Sequence, residues 1–526
     1  MQYLSWQVHE NQLNIVLNHN CVTGNVASKP PVTEYFGNIN VLKTDGEKSW
    51  IIANEHGIVF CLLDSEESVS ISENSKSLVT EDHINELLDA DTVKEVRIRL
   101  DEVEFHGVNP FQLIVFPGIY TPLQWEWDGI KLVEIVAPPP LITSSSTILD
   151  RETKLQKEFR NETNGYIKTL SFEKQLKLHE SYQLNGSDSS SLDMVTVHIL
   201  PDEINISRRL VSPGASDQTE AVGQLSRSSV NPSQQTIKEP DEYEDNLLDI
   251  QRMFREKSPE LDRKIPAWVM RLVKAIIKEK TLNYYLNTLR PVSCNFFSST
   301  VMNHFGVRGK LKPAAGKLPA PENRLIFMSN HPSGGFDGLL LLAWVSHYYP
   351  DVRIVVNDLL WNIPHLRPYL VPVDILGEQR DSREHYYESF REESPLLIFP
   401  AGVTARKVKG ELVEGRWKET PVRMALEYNR SVVPIHIDAH NSRLFNGIYR
   451  ARRSIGLNIN LEMFLLAREF LKPACKEFSV TVGETIAAEQ IKFMGNYNKE
   501  RAESLRQICQ KLPGSSSRSY VEQLQT

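Results

Sequence analysis

Two apolar stretches, 325–328 and 339–344, flank a glycine-bearing segment at 330–338 that reads Asn-His-Pro-Ser-Gly-Gly-Phe-Asp-Gly. The first stretch has the length of a buried strand and the second begins like a buried helix, so the segment between them is a strand-to-helix turn. Such turns are where α/β domains carry their reacting groups. His331 and Asp337 are the titratable side chains of this one. A neutral imidazole can take a proton from an alcohol near neutral pH, and a carboxylate on its other nitrogen fixes the tautomer and stabilises the imidazolium that forms. His331 is therefore the candidate base and Asp337 its orienter. Gly334 and Gly335 give the backbone the freedom to fold the five intervening residues back on themselves. The helix that follows offers free N–H groups to a developing oxyanion. An ordinary surface turn would carry the same residues, so the choice rests on what surrounds them.

What surrounds them is a repeating pattern. Short apolar runs at 325–328, 352–356, 370–375, 396–399, 432–437 and 478–482 alternate with helical segments, which is the pattern of an α/β domain. Upstream, helical spacing begins at Leu247. A basic amphipathic helix follows at 265–280, with Trp268, Val269, Leu272, Val273, Ile276 and Ile277 as its apolar positions and Arg271, Lys274, Lys278 and Lys280 mostly on the other side. Such a helix either lies in a membrane interface or packs its apolar face on the domain core.

The first half of the chain reads differently. Runs at 13–17, 50–53, 58–63, 96–100, 111–116 and 130–136, separated by Asn, Gly, Pro and Asp clusters, predict a mainly-β domain over 1–136, a sandwich or barrel, with one helix at 80–89. The prolines and Ser/Thr run of 137–147 read as an exposed loop. A small α+β annex is expected over 148–210, with a helix near 148–160 and strands near 166–172 and 194–200. From 211 to 246 large apolar residues are too sparse to offset the entropy of ordering, so that stretch reads as a flexible acidic and polar linker. The domain that matters for chemistry then covers 247–515. The fold class is thus multidomain, a C-terminal α/β domain preceded by helices and an N-terminal mainly-β domain of unknown type.

Charge divides along the same line. Residues 1–250 hold 19 Lys and Arg against 39 Asp and Glu, while 251–526 hold 40 against 28. The basic half suits an anionic membrane or an acidic co-substrate such as coenzyme A. No helix-turn-helix, zinc-finger or ribonucleoprotein-type aromatic motif accompanies it, so nucleic acid is not the expected partner. The five cysteines, at 21, 61, 294, 475 and 509, are scattered without metal-ligand spacing and read as free thiols of a reducing cytoplasm. No signal peptide and no apolar run of about twenty residues are recognisable, so the expected location is cytoplasmic with peripheral membrane contact.

Taken together, the 330–338 turn, the Leu-Leu-Ile-Phe-Pro-Ala-Gly run of 396–402, Arg380 past the end of the 370–375 strand, and Val-Val-Pro-Ile at 432–435 resemble, in order and spacing, the sequence blocks of the glycerolipid acyltransferases, the family of 1-acylglycerol-3-phosphate acyltransferases. The likeness spans about 247–490. It resembles most the hemolysin-like or lyso-ornithine-lipid O-acyltransferase branch, through Trp417-Lys418-Glu419-Thr420 and Asn460-Leu461-Glu462-Met463 as well. This resemblance implies an α/β acyltransferase domain that moves a fatty acyl group from an acyl thioester, acyl-CoA or acyl-ACP, to the hydroxyl of a lysolipid at a membrane surface, with no metal and no further cofactor. It makes His331 and Asp337 the catalytic pair. Ser333, Gly334, Gly335, Arg380, Phe399, Pro400, Gly402, Arg406 and Pro434 become the substrate-binding set, with Pro434 shaping the pocket wall.

The chain departs from the common pattern in two ways. The spacing from histidine to aspartate is one residue longer, and Ala401 and Thr404 stand where the third block usually has glutamate and arginine, Arg406 lying two places further on. These departures set an aminoacyl lysolipid, such as a lyso-ornithine or lyso-glycine lipid, beside lysophosphatidic acid as the expected acceptor. A second patch for anionic lipid is expected at Phe445, Ile448 and Tyr449 beside Arg450, Arg452 and Arg453. The rival reading is a lipid-binding or scaffold protein on an acyltransferase fold that no longer catalyses. A hydrolase with Ser333 as nucleophile is a third, although no Gly-x-Ser-x-Gly elbow surrounds that serine.

Overall fold

The computed structural model describes residues 2–512 except 10–11, 22–30, 37–38, 44–48, 65–80, 106–107, 118–121, 137, 139–140, 144–161, 163–171, 185–190, 201, 212–219, 228–247, 258–262, 264, 291, 314–323, 374–379, 409–410, 440–444, 446, 448–470 and 472–475. The chain divides into two compact units, Met1–Thr236 and Ile237–Thr526.

The first unit is β-rich. One antiparallel sheet runs, across its width, Leu141–Thr143, Gln2–His9, Gln12–Cys21, Ser191–Ile199, Glu203–Val211 and Glu220–Ser226. A second holds the antiparallel strands from Val32–Phe36 to Leu132–Val136 in chain order, with the helices Glu81–Leu88 and Val93–Leu100 between Ile58–Asp64 and Phe111–Pro117. Leu4, Trp6, Ile15 and Val197 of the first share one core with Leu42, Ile51, Val59 and Phe116 of the second, so the two sheets pack as a sandwich.

Three expectations for this unit need correction. The run 96–100, expected as a strand, is the end of the helix Val93–Leu100. Its β-branched residues misled, because Val93, Val96 and Leu100 lie on one helical face and are buried, Thr92 caps the start by accepting the Glu95 N–H at 3.2 Å, and Glu95 pairs with Arg99 one turn on. The strand expected near 194–200 is Ser191–Ile199, but it pairs along its whole length with Gln12–Cys21, so it belongs to the sandwich and not to a separate annex. Within the expected linker, Glu220–Ser226 forms the outermost strand beside Glu203–Val211. The helix expected near 148–160 lies outside the described residues, as does most of the strand expected near 166–172. At Phe172 a helix begins instead, Phe172–Leu184.

The second unit is built on a twisted sheet in the order Leu370–Val373, Arg353–Asn357, Leu396–Ile398, Leu325–Ser329, Ser431–Asp438, Lys476–Val482 and Val307–Pro313. All neighbours are parallel except the pair Ser431–Asp438 and Lys476–Val482. The strand Val307–Pro313 was not anticipated, its alternation being carried by Val, Gly and Leu between cations. From the central strand Leu325–Ser329 the chain passes into the helix Gly335–Tyr348, visits the Arg353 and Leu370 strands, and returns through Leu396–Ile398 to lie beside it. Such a reversal of strand order opens a crevice at the carboxyl ends of the strands. Ile326, Met328, Ile398 and Val432 form a core with Leu505, Ile508 and Cys509 of the C-terminal helix Asn498–Lys511.

The helix expected over 265–280 is two helices. Ala267–Ile277 ends at Lys278, which adopts the left-handed conformation at φ 58°, and Glu279–Thr288 follows. Met270 and Ile277 of the first pack with Ile250, whereas Trp268 and Leu272 remain 63% and 52% exposed.

At the amino ends of the central strands sits Arg430, 0% exposed. Its guanidinium donates to the carbonyls of Phe390 at 2.9 Å, Ser394 at 3.1 Å and Glu392, tying the loop before Leu396–Ile398 to the loop before Ser431–Asp438. Burial pulls its pKa down to about 10, so it stays charged at neutral pH. Truncation strands several carbonyls out of reach of water, and Arg430→Ala is expected to cost about 3 kcal/mol of stability. Thermal melts of the full chain check this, with a loss confined to the second unit's transition.

Candidate active site

The turn after Leu325–Ser329 is fixed on both sides. Asn330 is buried and its amide makes a reciprocal pair with the backbone of Ile437 in the adjacent strand, accepting from Ile437 N at 2.7 Å and donating to Ile437 O at 2.9 Å. This extends the parallel ladder by one rung, made by a side chain. His331 therefore leaves the strand end from a fixed backbone. Its carbonyl accepts the Ala405 N–H at 2.8 Å, and its own N–H donates to the Glu414 carboxyl at 3.2 Å.

The chain next turns at Gly334, whose φ of 90° is closed to other residues without strain, and enters the helix at Gly335. This turn absorbs the long spacing and puts Asp337 one turn into the helix, 0% exposed. The Asp337 carboxylate accepts the backbone N–H groups of Ser333 at 2.8 Å and Gly334 at 2.9 Å, together with the Ser333 hydroxyl. It is thus the helix cap, and it also lies 3.0 Å from His331 Nδ1. That contact is out of line for a well-directed hydrogen bond, and contacts of this kind commonly align only when substrate binds. The imidazole is about one-fifth exposed and stacks on the Phe399 ring at 4.3 Å between centroids. With Nδ1 toward Asp337, Nε2 is the nitrogen left to take a proton from a bound hydroxyl.

The sequence-derived set divides on inspection. Ser333, Gly334 and Phe399 touch the His331–Asp337 pair. Ser333 is committed to Asp337 through both its N–H and its hydroxyl, which is not the arrangement of a nucleophile awaiting a base. The N–H groups of Ser333 and Gly334, expected among those open to an oxyanion, are engaged by the carboxylate. Gly335 is exposed at the first helical position. Pro400 is buried and accepts the Lys418 N–H at 3.0 Å, while Gly402, at φ 67°, closes the turn onto Phe399 O at 3.0 Å. A Cβ on Gly402 would stand 3.2 Å from Lys418 Nζ, so an exposed ammonium lies over this turn. Arg406 is folded back onto Thr404 and sits 4.8 Å over the Phe445 ring. Pro434 stands opposite Met328 in register, with its ring against Gly483. Arg380 opens the helix Arg380–Ser389, with its side chain outside the described residues, as are Ile448 to Arg453 and Asn460 to Met463.

Glu414 and Asn330 are the residues that sequence reasoning missed. Asn330 belonged to the motif but had no chemistry of its own to announce it. Glu414 is one glutamate of many in a polar stretch, and only the hairpin of Arg406–Val408 and Glu411–Val413 brings it to His331.

Asp337→Asn keeps the shape of the cap but removes the charge that stabilises an imidazolium, so kcat for the base-dependent reaction is expected to drop about 10²- to 10⁴-fold. A melting temperature kept within a few degrees would assign that loss to chemistry and not to folding.

A model of the acyltransferase family matches residues 252–515. The lyso-glycine lipid O-acyltransferase of Phocaeicola vulgatus is 33% identical over 243 residues, which is 46% of this chain and 86% of that protein. The lyso-glycine lipid O-acyltransferase of Bacteroides thetaiotaomicron is 31% identical over 242 residues, 46% of this chain and 88% of that protein.

Proposed function

The chain belongs to the glycerolipid acyltransferase family and is an enzyme that transfers acyl groups; from that premise we propose that it is a lysolipid O-acyltransferase, with lyso-glycine lipid as its first acceptor and an acyl thioester of coenzyme A or acyl carrier protein as donor. The observation that carries the mechanism is the 3.0 Å contact between His331 Nδ1 and the wholly buried Asp337. His331 Nε2 removes the proton of the acceptor hydroxyl as its oxygen attacks the thioester carbonyl. The C–S bond of the tetrahedral intermediate then breaks, and the thiolate takes the proton back from the imidazolium. No covalent acyl-enzyme is needed, and Asp337 stabilises the cation between the two steps.

Two features support the acceptor class. Both relatives carry a lyso-glycine lipid activity in their names, and the third block has Ala401 and Thr404 in place of the charged pair. The neighbouring cations Lys418 and Arg416, both exposed, suit an anionic donor or an anionic lipid surface. Lysophosphatidic acid and lyso-ornithine lipid serve as the competing acceptors in the test. Purified full-length protein is expected to acylate lyso-glycine lipid from a labelled thioester, and His331→Ala to lose about 10²- to 10⁴-fold in kcat. Equal activity in both proteins would sink the His331 mechanism. Turnover with lysophosphatidic acid alone would move the acceptor back to a glycerol phosphate. Absence of turnover with any acceptor would favour a non-catalytic lipid-binding role.

The acceptor is a lipid, so the enzyme has to meet a membrane. No helix among the described residues is long and apolar enough to cross one. Trp268 and Leu272, exposed one turn apart on Ala267–Ile277 beside the exposed Arg271, are the contact we assign. Trp268→Ser with Leu272→Ser is expected to weaken sedimentation with anionic vesicles about tenfold or more, since each side chain is worth more than about 1 kcal/mol on burial. Unchanged binding would remove this helix from the membrane contact.

A further inference from the structure

His331 is flanked by two buried carboxyl groups of opposite character. Asp337, on the ring side, is saturated by two backbone N–H groups and a hydroxyl. Glu414, on the backbone side, is 8% exposed and, among the described residues, accepts one hydrogen bond, from His331 N to Oε1 at 3.2 Å. Its Oε2 is buried without a hydrogen-bond partner among the described residues. The Trp417 indole N–H is near enough to favour the charged form but meets no acceptor in hydrogen-bond geometry. A buried carboxyl left half-satisfied is costly, and such groups persist where they serve the site.

The position of Glu414 in the fold gives it leverage. It follows the second strand of the hairpin Arg406–Val408 and Glu411–Val413, and Ala405 precedes the first. The hairpin therefore grips His331 at both backbone groups, Ala405 on the carbonyl and Glu414 on the N–H. We propose that Glu414 is a positioning residue for the base: with Ala405 it fixes the backbone from which the imidazole projects, and its protonation state sets how firmly. This deepens the acyl-transfer reading and rests on it.

Burial raises the Glu414 pKa to about 7. The groups that face it are Asp337, which opposes its ionisation, Arg506, which favours it while bonded to Glu503 at 2.9 Å, and the buried Cys509 thiol. Below pH 7 the neutral carboxyl is a weak acceptor for His331 N–H, and above it the carboxylate makes a charge-assisted and tighter bond. Activity should thus rise with pH as Glu414 ionises near pH 7. The stability consequence runs the other way. The folded protein holds this proton up to about pH 7 while the unfolded chain releases it near its ordinary value of 4.5, so ionisation erodes stability as pH rises between them.

Glu414→Gln tests the inference, because the amide oxygen preserves the acceptor for His331 N–H while it cannot ionise. The variant is expected to lose about tenfold in kcat with KM unchanged, and to lose the step near pH 7 from the pH profile. A readout without turnover goes with it. In protein labelled with ¹⁵N-histidine, the His331 backbone amide, identified by its disappearance in His331→Gln, should show a pH-dependent shift near pH 7 that Glu414→Gln removes. An amide titration identical in both proteins would overturn the proposal, as would wild-type kcat and pH profile, or a rise in KM alone. If no acceptor turns over, the amide titration still decides for Glu414, and the failure counts against the proposed function only.

Discussion

The carboxylate of Asp337 holds two structures together. It closes the start of the helix Gly335–Tyr348 by accepting the N–H groups of Ser333 and Gly334, and it presents its remaining face to His331. A helix start has unpaired N–H groups and the positive end of the peptide dipoles, which is the environment that favours a buried negative charge. The charge the imidazolium needs is thus supplied by the same bonds that start the helix. Folding and chemistry share one side chain here, and the turn that makes this possible depends on the φ of 90° at Gly334.

The other constraints on the base come from its neighbours in space. Asn330 locks the strand end to Ile437, and the hairpin beyond Ala405 holds both backbone groups of His331. Phe399 covers one face of the ring. Phe399 and the hairpin both follow Leu396–Ile398, and Ile437 lies in Ser431–Asp438, so the two strands that flank Leu325–Ser329 fix the base from either side. The sequence distance between these groups, up to 107 residues from Asn330 to Ile437, says little about their separation in the fold.

Much of this was legible beforehand, and the reason is local. The six strands expected between 324 and 485 coincide with observed strands to within about two residues, because buried parallel strands are short apolar runs closed by turn residues. The His331–Asp337 pair was visible because both groups sit in one turn. What stayed hidden depended on tertiary context. Val93–Leu100 has the β-branched composition of a strand and the burial spacing of a helix, and the capping by Thr92 decided between them. Glu220–Ser226 is polar enough to read as linker and takes its order from the edge it joins. Glu414 lies three residues before the Trp417–Thr420 block, which assigns it no chemistry. Burial gave it significance, and burial is a property of the folded chain.

Arg430 shows how a group remote from the chemistry can govern what is observed of it. Its bonds lie at the amino ends of the strands, the opposite edge of the sheet from His331. A weakened clamp would leave each folded molecule with its turnover intact, while more of the population opens and is removed by proteases and chaperones. Inside a cell such a variant would resemble a slow enzyme, although only its copy number had fallen, and the resemblance would deepen with growth temperature.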